Sequence, residues 1–258
     1  MYAIVDAMYK LALELGVKFR FNETVQSIEI STAAAKSVTT NLGNYPADVV
    51  IGGADYHHIE TSLLPETYRS YSPQYWDSRV LAPSSLIFYL GLNKKLDQIH
   101  HHTLFFDTPF EAHAREIYVD KQWPASPLFY MCASSVTDAT VAPPGHENLF
   151  LLMPVAAGLE NDTEAVRGKY FNQIIGRLEK HLGQTIHDAV ILNRSFAHAD
   201  FKNDYHSFKG NAYGLANTLK QTANLKPNCR SKKVKNLFYT GQLTVPGPGV
   251  PPSLISGE

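Results

Sequence analysis

A chain of 258 residues, 44% hydrophobic and 11% aromatic, has enough apolar material for a substantial core, as one large domain or two small ones. Its 23 basic and 24 acidic side chains leave a net charge of −1, so it lacks the basic footprint of a nucleic-acid binder. Cys132 and Cys229 lie far apart in no metal-like spacing and read as reduced thiols of a cytosolic protein.

The opening "MYAIVDAMYK" carries an acid and no basic region, so it does not read as a signal peptide. Ile4, Ala7, Met8, Leu11 and Leu15 fall at helical spacing, and Gly16 stands where a C-terminal cap belongs. "VKFRFN" alternates apolar and polar residues and predicts a strand, as does "TVQSIEI" after it. "SVTTNLGNYPADVVIGGAD" predicts two more strands, the last a nearly all-apolar one over 49–51. The first 55 residues thus read as a helix packed on a small sheet, closing at Gly52, Gly53 and Asp55.

The middle of the chain has longer loops and aromatic-rich strands: "SSLIFYLGL", "SPLFYMCASS" and "NLFLLMPVAAG". Its apolar runs over 86–92 and 149–159 fall short of the about 20 residues that span a bilayer. A monotopic surface contact stays open. One clear helix is predicted over 163–182, with Ala165, Phe171, Ile174, Ile175, Leu178 and Leu182 as its stripe, Asp162 as N-cap and Gly183 beyond its end.

The last stretch, "NLFYTGQLTVPGPGVPPSLISGE", reads as a buried strand at Leu237, Phe238 and Tyr239, a stiff Gly- and Pro-rich loop, and a helix starting near Pro251 or Pro252. Gly241, Gly247 and Gly249 give backbone freedom and permit close approach. Such a corner binds an anion or a cofactor, or is a tight connection with no ligand; both fit the pattern.

Other motifs are weaker. On a strand, His100 and His102 would share a face, but no HExxH or Cys-rich partner accompanies them, so the histidines read as structural and no metal site is expected. Arg230, Lys232, Lys233 and Lys235 form either a solvated turn or a patch for anionic lipid. There is no GxSxG, GxxxxGK[ST] or GxGxxG, and no complete catalytic apparatus.

Five segments in order resemble the bacterial phytoene desaturase family of carotenoid desaturases, flavoproteins of the amine-oxidase-like superfamily. They are "LALELGVKFRFNETVQSIEI", "ADYHHIETSLLP", "SSLIFYLGLNKKLDQIHHHTLFF", "SSVTDATVAPPGHENLFLLMPV" and "GNAYGLANTLKQTANLKPNCRSKKVKNLFYTGQLTVPGPGVP". The last is the most specific, with a Lys226-Pro227 turn leading to the flavin corner. The resemblance covers essentially the whole chain. Where many relatives carry Thr-His-Pro-Gly, this chain has Val245 in the His position, which leaves the backbone geometry intact and puts a proton-transfer role there in doubt.

The resemblance implies a mixed α/β fold, part of a two-domain FAD-binding amine-oxidase-like flavoprotein whose N-terminal dinucleotide-binding βαβ unit is missing. Residues 1–55 and 206–258 would be parts of a discontinuous FAD-binding domain, and 56–205 a substrate-binding domain. It further implies FAD as cofactor and phytoene or a related polyene as substrate, desaturated by hydride transfer to the flavin. By position, Val25 would lie near the adenosine half of FAD, and Gly241, Gln242, Thr244, Gly247, Gly249, Val250 and Pro251 along the ribityl chain and ring. No acid or base is assigned. The implied setting is cytoplasmic with peripheral membrane contact, and the chain by itself is expected to bind FAD poorly and be inactive. Alternatives are a hydroxycarotenoid 3,4-desaturase, a carotenoid isomerase, an oxygenating homologue or a non-catalytic chain.

Overall fold

The computed structural model describes residues 2–258. In chain order, helix α1 (Tyr2–Glu14) precedes strands β1 (Val25–Ser31), β2 (Ala34–Thr40), β3 (Asn44–Pro46) and β4 (Val50–Gly52). Two short helices follow, α2 (Tyr56–His58, continued as a wide turn over Ile59–Leu63) and α3 (Pro73–Asp77). The middle contains β5 (Ser84–Leu92), β6 (His102–Phe105), α4 (Phe110–Arg115), β7 (Phe129–Cys132), β8 (Glu147–Val155), α5 (Glu164–Leu182), β9 (Val190–Phe196) and α6 (His198–Tyr205). The chain closes with β10 (Leu237–Tyr239) and α7 (Val250–Gly257). The fold is mixed α/β, as the sequence implied.

A five-stranded antiparallel sheet in the order β6-β7-β8-β5-β9 forms the middle. Period-2 alternation divides its two faces. Leu86, Phe88 and Leu90 of β5 pair with Met153, Leu151 and Leu149 of β8, and all six are almost fully buried. They pack under α5, whose Phe171, Ile174, Ile175 and Leu178 belong to the same core. The alternate β8 residues Leu152 and Pro154 face the other way and form part of an apolar cavity.

Helix α5 starts one residue later than its expected cap. Thr163 is the N-cap, its hydroxyl accepting the Val166 N–H at 3.3 Å. Asp162 instead takes the guanidinium of Arg167, a bidentate pair at 2.7 Å with both side chains buried. A buried arginine draws the carboxylate away from the cap. Gly183 ends the helix in the left-handed conformation, as predicted.

A second core joins the outer segments. Strands β4 and β10 run parallel, Leu237 opposite Val50 and Tyr239 opposite Gly52, although nearly 190 residues separate them. Asn236 reinforces the junction, exchanging hydrogen bonds with the backbone of Ala35 at 2.7 and 2.9 Å. This core takes in Ile28, Ala35, Val50, Leu215, Val234, Leu237, Tyr239 and Leu243. It also takes in Tyr56, Ile59, Leu63, Leu64 and Trp76, which the sequence reading had assigned to the middle. The core under α5 begins at Leu86.

Two expectations for the first 55 residues fail. "VKFRFN" forms no strand, because no described strand lies beside it to complete a ladder. Its alternation survives as an aromatic stack: Phe19 and Phe21 lie 5.9 Å apart and nearly parallel, with Tyr9 4.6 Å from Phe19. Helix α1 forms but does not pack on the sheet. None of its residues is buried, and Ile4, Met8 and Leu11 are exposed because no described element covers them.

Candidate functional site

Parallel strands carry their ligand crevices beyond their carboxyl ends, and β4 and β10 both end at such a place. Gly53–Ala54–Asp55 follow one and Thr240–Gly241–Gln242–Leu243 the other; together with Tyr56, Ser207, Asn211, Ala212 and residues of α6 they line a cavity of about 360 Å³. The two strand ends lie side by side: a Cβ on Gly53 would be in ordinary van der Waals contact with Thr240 Cγ2, at 3.7 Å. At Gly241, where φ is 109°, a Cβ would meet nothing within 4 Å and would project into open space.

Hydrogen bonds fix the walls. The Asp55 carboxylate accepts from the backbone N–H of His58 at 3.1 Å and of Phe208 at 3.0 Å, tying α2 to the loop after α6. Burial pushes its carboxyl pKa up, while these N–H donors hold it down. Asn211 spans the floor, donating to the Phe208 carbonyl at 2.7 Å and accepting from Gly214 N–H at 2.6 Å and Gln242 Nε2 at 3.3 Å. On the far side, Ser256 of α7 accepts the Gly241 N–H at 2.9 Å and lies 2.6 Å from the Thr240 hydroxyl. The terminal helix is therefore fastened to the corner.

The residues expected along a cofactor fall into four groups. Gly241 and Gln242 line the cavity. Thr244 is buried and turned inward, donating to the Pro227 carbonyl at 2.6 Å, so it holds the loop rather than facing the cavity. Gly247 and Gly249 take φ of 131° and 115°, conformations that L side chains resist, and Val250 and Pro251 open α7. Val25 lies elsewhere, at the exposed start of β1 opposite Thr40, outside this cavity.

Lys226, read from sequence only as part of a turn, is a buried cation under that loop. Its Nζ donates to the Leu215 carbonyl at 2.9 Å, and a Cβ on Gly247 would come within 2.9 Å of its Cε. Burial pulls its pKa down. Ser207 and Asn211 were also not foreseen, and Asp55 is read from sequence only as the end of a strand. Ser207 and Asn211 lie in the loop after α6, whose position depends on Asp55 at the start of α2, a contact that no local pattern signals.

A second cavity, of about 350 Å³, opens on the far face of the five-stranded sheet. Leu104, Phe105, Phe106, Phe110, Ile117, Tyr118, Phe129, Leu152 and Tyr213 give it an apolar, aromatic lining without a charged side chain. Its one histidine is occupied. His113 Nδ1 accepts the Leu128 N–H at 2.9 Å, so the proton is on Nε2, which donates to the Pro154 carbonyl at 2.9 Å. Burial also lowers its pKa, keeping the ring neutral. His113 supports the wall and is not a free base. The run "LFFDTPF" in the sequence is the one local signal of this cavity.

The two cavities share a stretch of wall. Ala212 lines the first and its neighbour Tyr213 lines the second, so one short segment separates a polar corner from an apolar chamber.

Comparison with known proteins gives concordant results. The model of the flavin containing amine oxidoreductase family matches residues 1–258. The carotenoid 3,4-desaturase of Haloarcula japonica is 39% identical over 256 residues, covering 99% of this chain and 52% of that protein. The zeta-carotene-forming phytoene desaturase of Myxococcus xanthus is 28% identical, covering all of this chain and 50% of that protein. An oxidoreductase from Methanosarcina mazei shares the fold, with a TM-score of 0.66 at 15% identity over 98% of this chain and 53% of its own. The chain spans about half the length of the curated relatives it matches.

Proposed function

Because this chain belongs to the flavin containing amine oxidoreductase family, we propose that the protein carrying it is an FAD-dependent carotenoid desaturase. The observation that carries this reading is the pair Ala212 and Tyr213, which puts the wall of a polar corner next to that of a chamber suited to hydrocarbon. The corner fits a flavin: Gly241 leaves open space where a side chain would intrude, and Gln242 and the strand-end backbone offer polar groups. A bound flavin would supply the acceptor for the hydride, the second hydrogen leaving as a proton, when two adjacent sp³ carbons become a double bond.

The chain's residues have three tasks in this reading. Gly241 and Gln242 would hold the cofactor at the cavity wall, and the positive-φ Gly247 and Gly249 would allow close backbone approach in the turn beyond it. Phe105, Phe129, Leu152 and Tyr213 align a long apolar chain and exclude water. Asp55, Asn211 and Ser256 fix the corner through hydrogen bonds. His113, the chamber's one histidine, is engaged at both ring nitrogens, so the proton lost in desaturation is not assigned to it.

The finer reading is the bond desaturated. The 39% identity to a 3,4-desaturase, against 28% to a phytoene desaturase, favours the 3,4-bond of an already conjugated carotenoid. Pigment analysis settles this: the protein carrying this chain is produced in hosts accumulating phytoene or lycopene. A product with a longer conjugated system in the lycopene host alone supports 3,4-desaturation. Unchanged pigment in both, with flavin bound, overturns the desaturase reading.

The same proposal includes peripheral contact with the cytoplasmic face of a membrane, where such substrates dissolve. Its support is the rim of the chamber, where Leu104, Phe106, Phe110 and Tyr118 are exposed. Both cysteines are free, as suits a reducing compartment. The basic cluster adds less, since Lys232 lies 4.0 Å over Tyr71 and Lys233 Nζ donates to the Thr67 carbonyl. No helix among the described residues is long and apolar enough to cross a membrane. Flotation with liposomes tests the contact, and a protein that stays at the bottom at low salt contradicts it.

A further inference from the structure

The histidine run does not fold as its spacing predicts. Strand β6 begins only at His102, so His100 never shares a face with it. Instead Ala133 N–H donates to the His101 carbonyl at 2.8 Å, extending the ladder by one residue, while His102 stands opposite Cys132 on β7. The His101 and His102 rings lie 4.2 Å apart. A ring nitrogen of each and Cys132 Sγ all lie within 4.8 Å of one another.

Each ring also has a hydroxyl partner. His101 Nδ1 lies 2.6 Å from the Thr137 hydroxyl, and His102 Nδ1 lies 2.6 Å from the Tyr130 hydroxyl. With Nδ1 engaged in this way, Nε2 of both rings has no hydrogen-bond partner among the described residues. Oriented imidazoles with an outer hydroxyl partner are the arrangement that surrounds metal ligands. Water reaches the group, since His102 is exposed and His101 and Cys132 are half-buried.

From this geometry we infer that His101, His102 and Cys132 form a binding site for a borderline-soft transition cation, zinc(II) in chemical class. Two imidazoles and a thiolate are a donor set for zinc, and a fourth tetrahedral position remains for water. Bonds of about 2.1 Å to nitrogen and about 2.3 Å to sulfur require the three atoms to close by about an ångström, within reach of rotation at the exposed His102. As the metal–sulfur bond forms, the Cys132 thiol proton passes to solvent. The ion bridges β6 to β7 beside Tyr130, a residue in the wall of the apolar chamber. The site is independent of the flavin corner and does not depend on the desaturase reading.

The test is titration of the untagged, reduced protein carrying this chain with cobalt(II), followed by displacement with zinc(II). The expected result is one equivalent of cobalt with a thiolate-to-cobalt charge-transfer band that zinc abolishes. The band is lost in Cys132→Ser, and binding is lost in His102→Ala, a change at an exposed position that spares the core. Thr137→Val keeps all three ligands and lowers affinity about 10–100-fold, the usual effect of removing an outer partner. Absence of the band in a chain whose circular dichroism shows it folded overturns the inference. So does an affinity unchanged across the three variants.

Discussion

Gly249 precedes α7 with φ of 115°, and a Cβ there would meet Pro252 Cδ at 3.3 Å. Replacing it with Val puts a β-branched residue into a conformation that costs on the order of 1–3 kcal/mol. We expect the Gly249→Val form of the protein carrying this chain to purify with less flavin and to bind added FAD more weakly, as read by fluorescence titration. Unchanged affinity would show that the turn stands away from the cofactor. The glycines were legible in sequence because positive φ is a local requirement. The inward turn of Thr244 was not, since it depends on a carbonyl 17 residues away.

His57 also acts as a single residue. Its ring stacks on Phe208 at 4.0 Å, and burial lowers its pKa from 6.5 to about 4. The folded chain thus holds it neutral while the unfolded chain binds a proton at its ordinary value. Its contribution is fully present above pH 6.5 and lost as pH falls towards about 4. Burial moves His58, His113 and His198 the same way. His57→Phe keeps the ring contacts and removes the proton, so its melting temperature should fall less steeply over that window than the wild type's. An equally steep fall would rule out His57 as a source of the acid sensitivity.

At the scale of elements, α5 allows a comparison of cap and core. Thr163→Ala removes a side-chain cap worth typically about 1 kcal/mol, whereas Ile174→Ala opens a cavity in the packed core at a cost of about 2–5 kcal/mol. Ile174 is fully buried. Denaturant midpoints should rank them in that order, and a Thr163→Ala midpoint equal to the wild type's would show that Thr163 is not the cap. The helix, its Gly183 stop and strands β5, β8 and β10 were readable because their periodicity or apolar runs are local. "VKFRFN" was misread because a strand also needs a neighbour. The failure of α1 to pack has the same cause, since an amphipathic pattern marks a face without naming what covers it.

At the scale of the molecule, the parallel pairing of β4 with β10 makes the site, by bringing Gly53 beside Thr240 and letting the loop through Asn211 close the corner. Resemblance to a family pointed to this corner, yet the residues alone left a ligand-free turn equally open. The apolar chamber depends on the packing of α4 against the far face of the sheet and was legible only as aromatic richness. The adjacency of the two cavities at Ala212 and Tyr213 is a property of the fold alone.

That adjacency is the central claim, and electron transfer from hydrocarbon to flavin tests it directly. The flavin-loaded protein carrying this chain is mixed without oxygen with a carotene in micelles, and the visible band of the oxidised flavin is followed. Phe110→Glu serves as the partner variant: Phe110 is 57% exposed at the chamber mouth and opens α4, where an acidic residue is well tolerated. The account predicts bleaching of the flavin with formation of a more conjugated product, and slower bleaching at unchanged flavin content in the variant. A flavin that stays oxidised with every carotene offered, or an equal rate in Phe110→Glu, would contradict it.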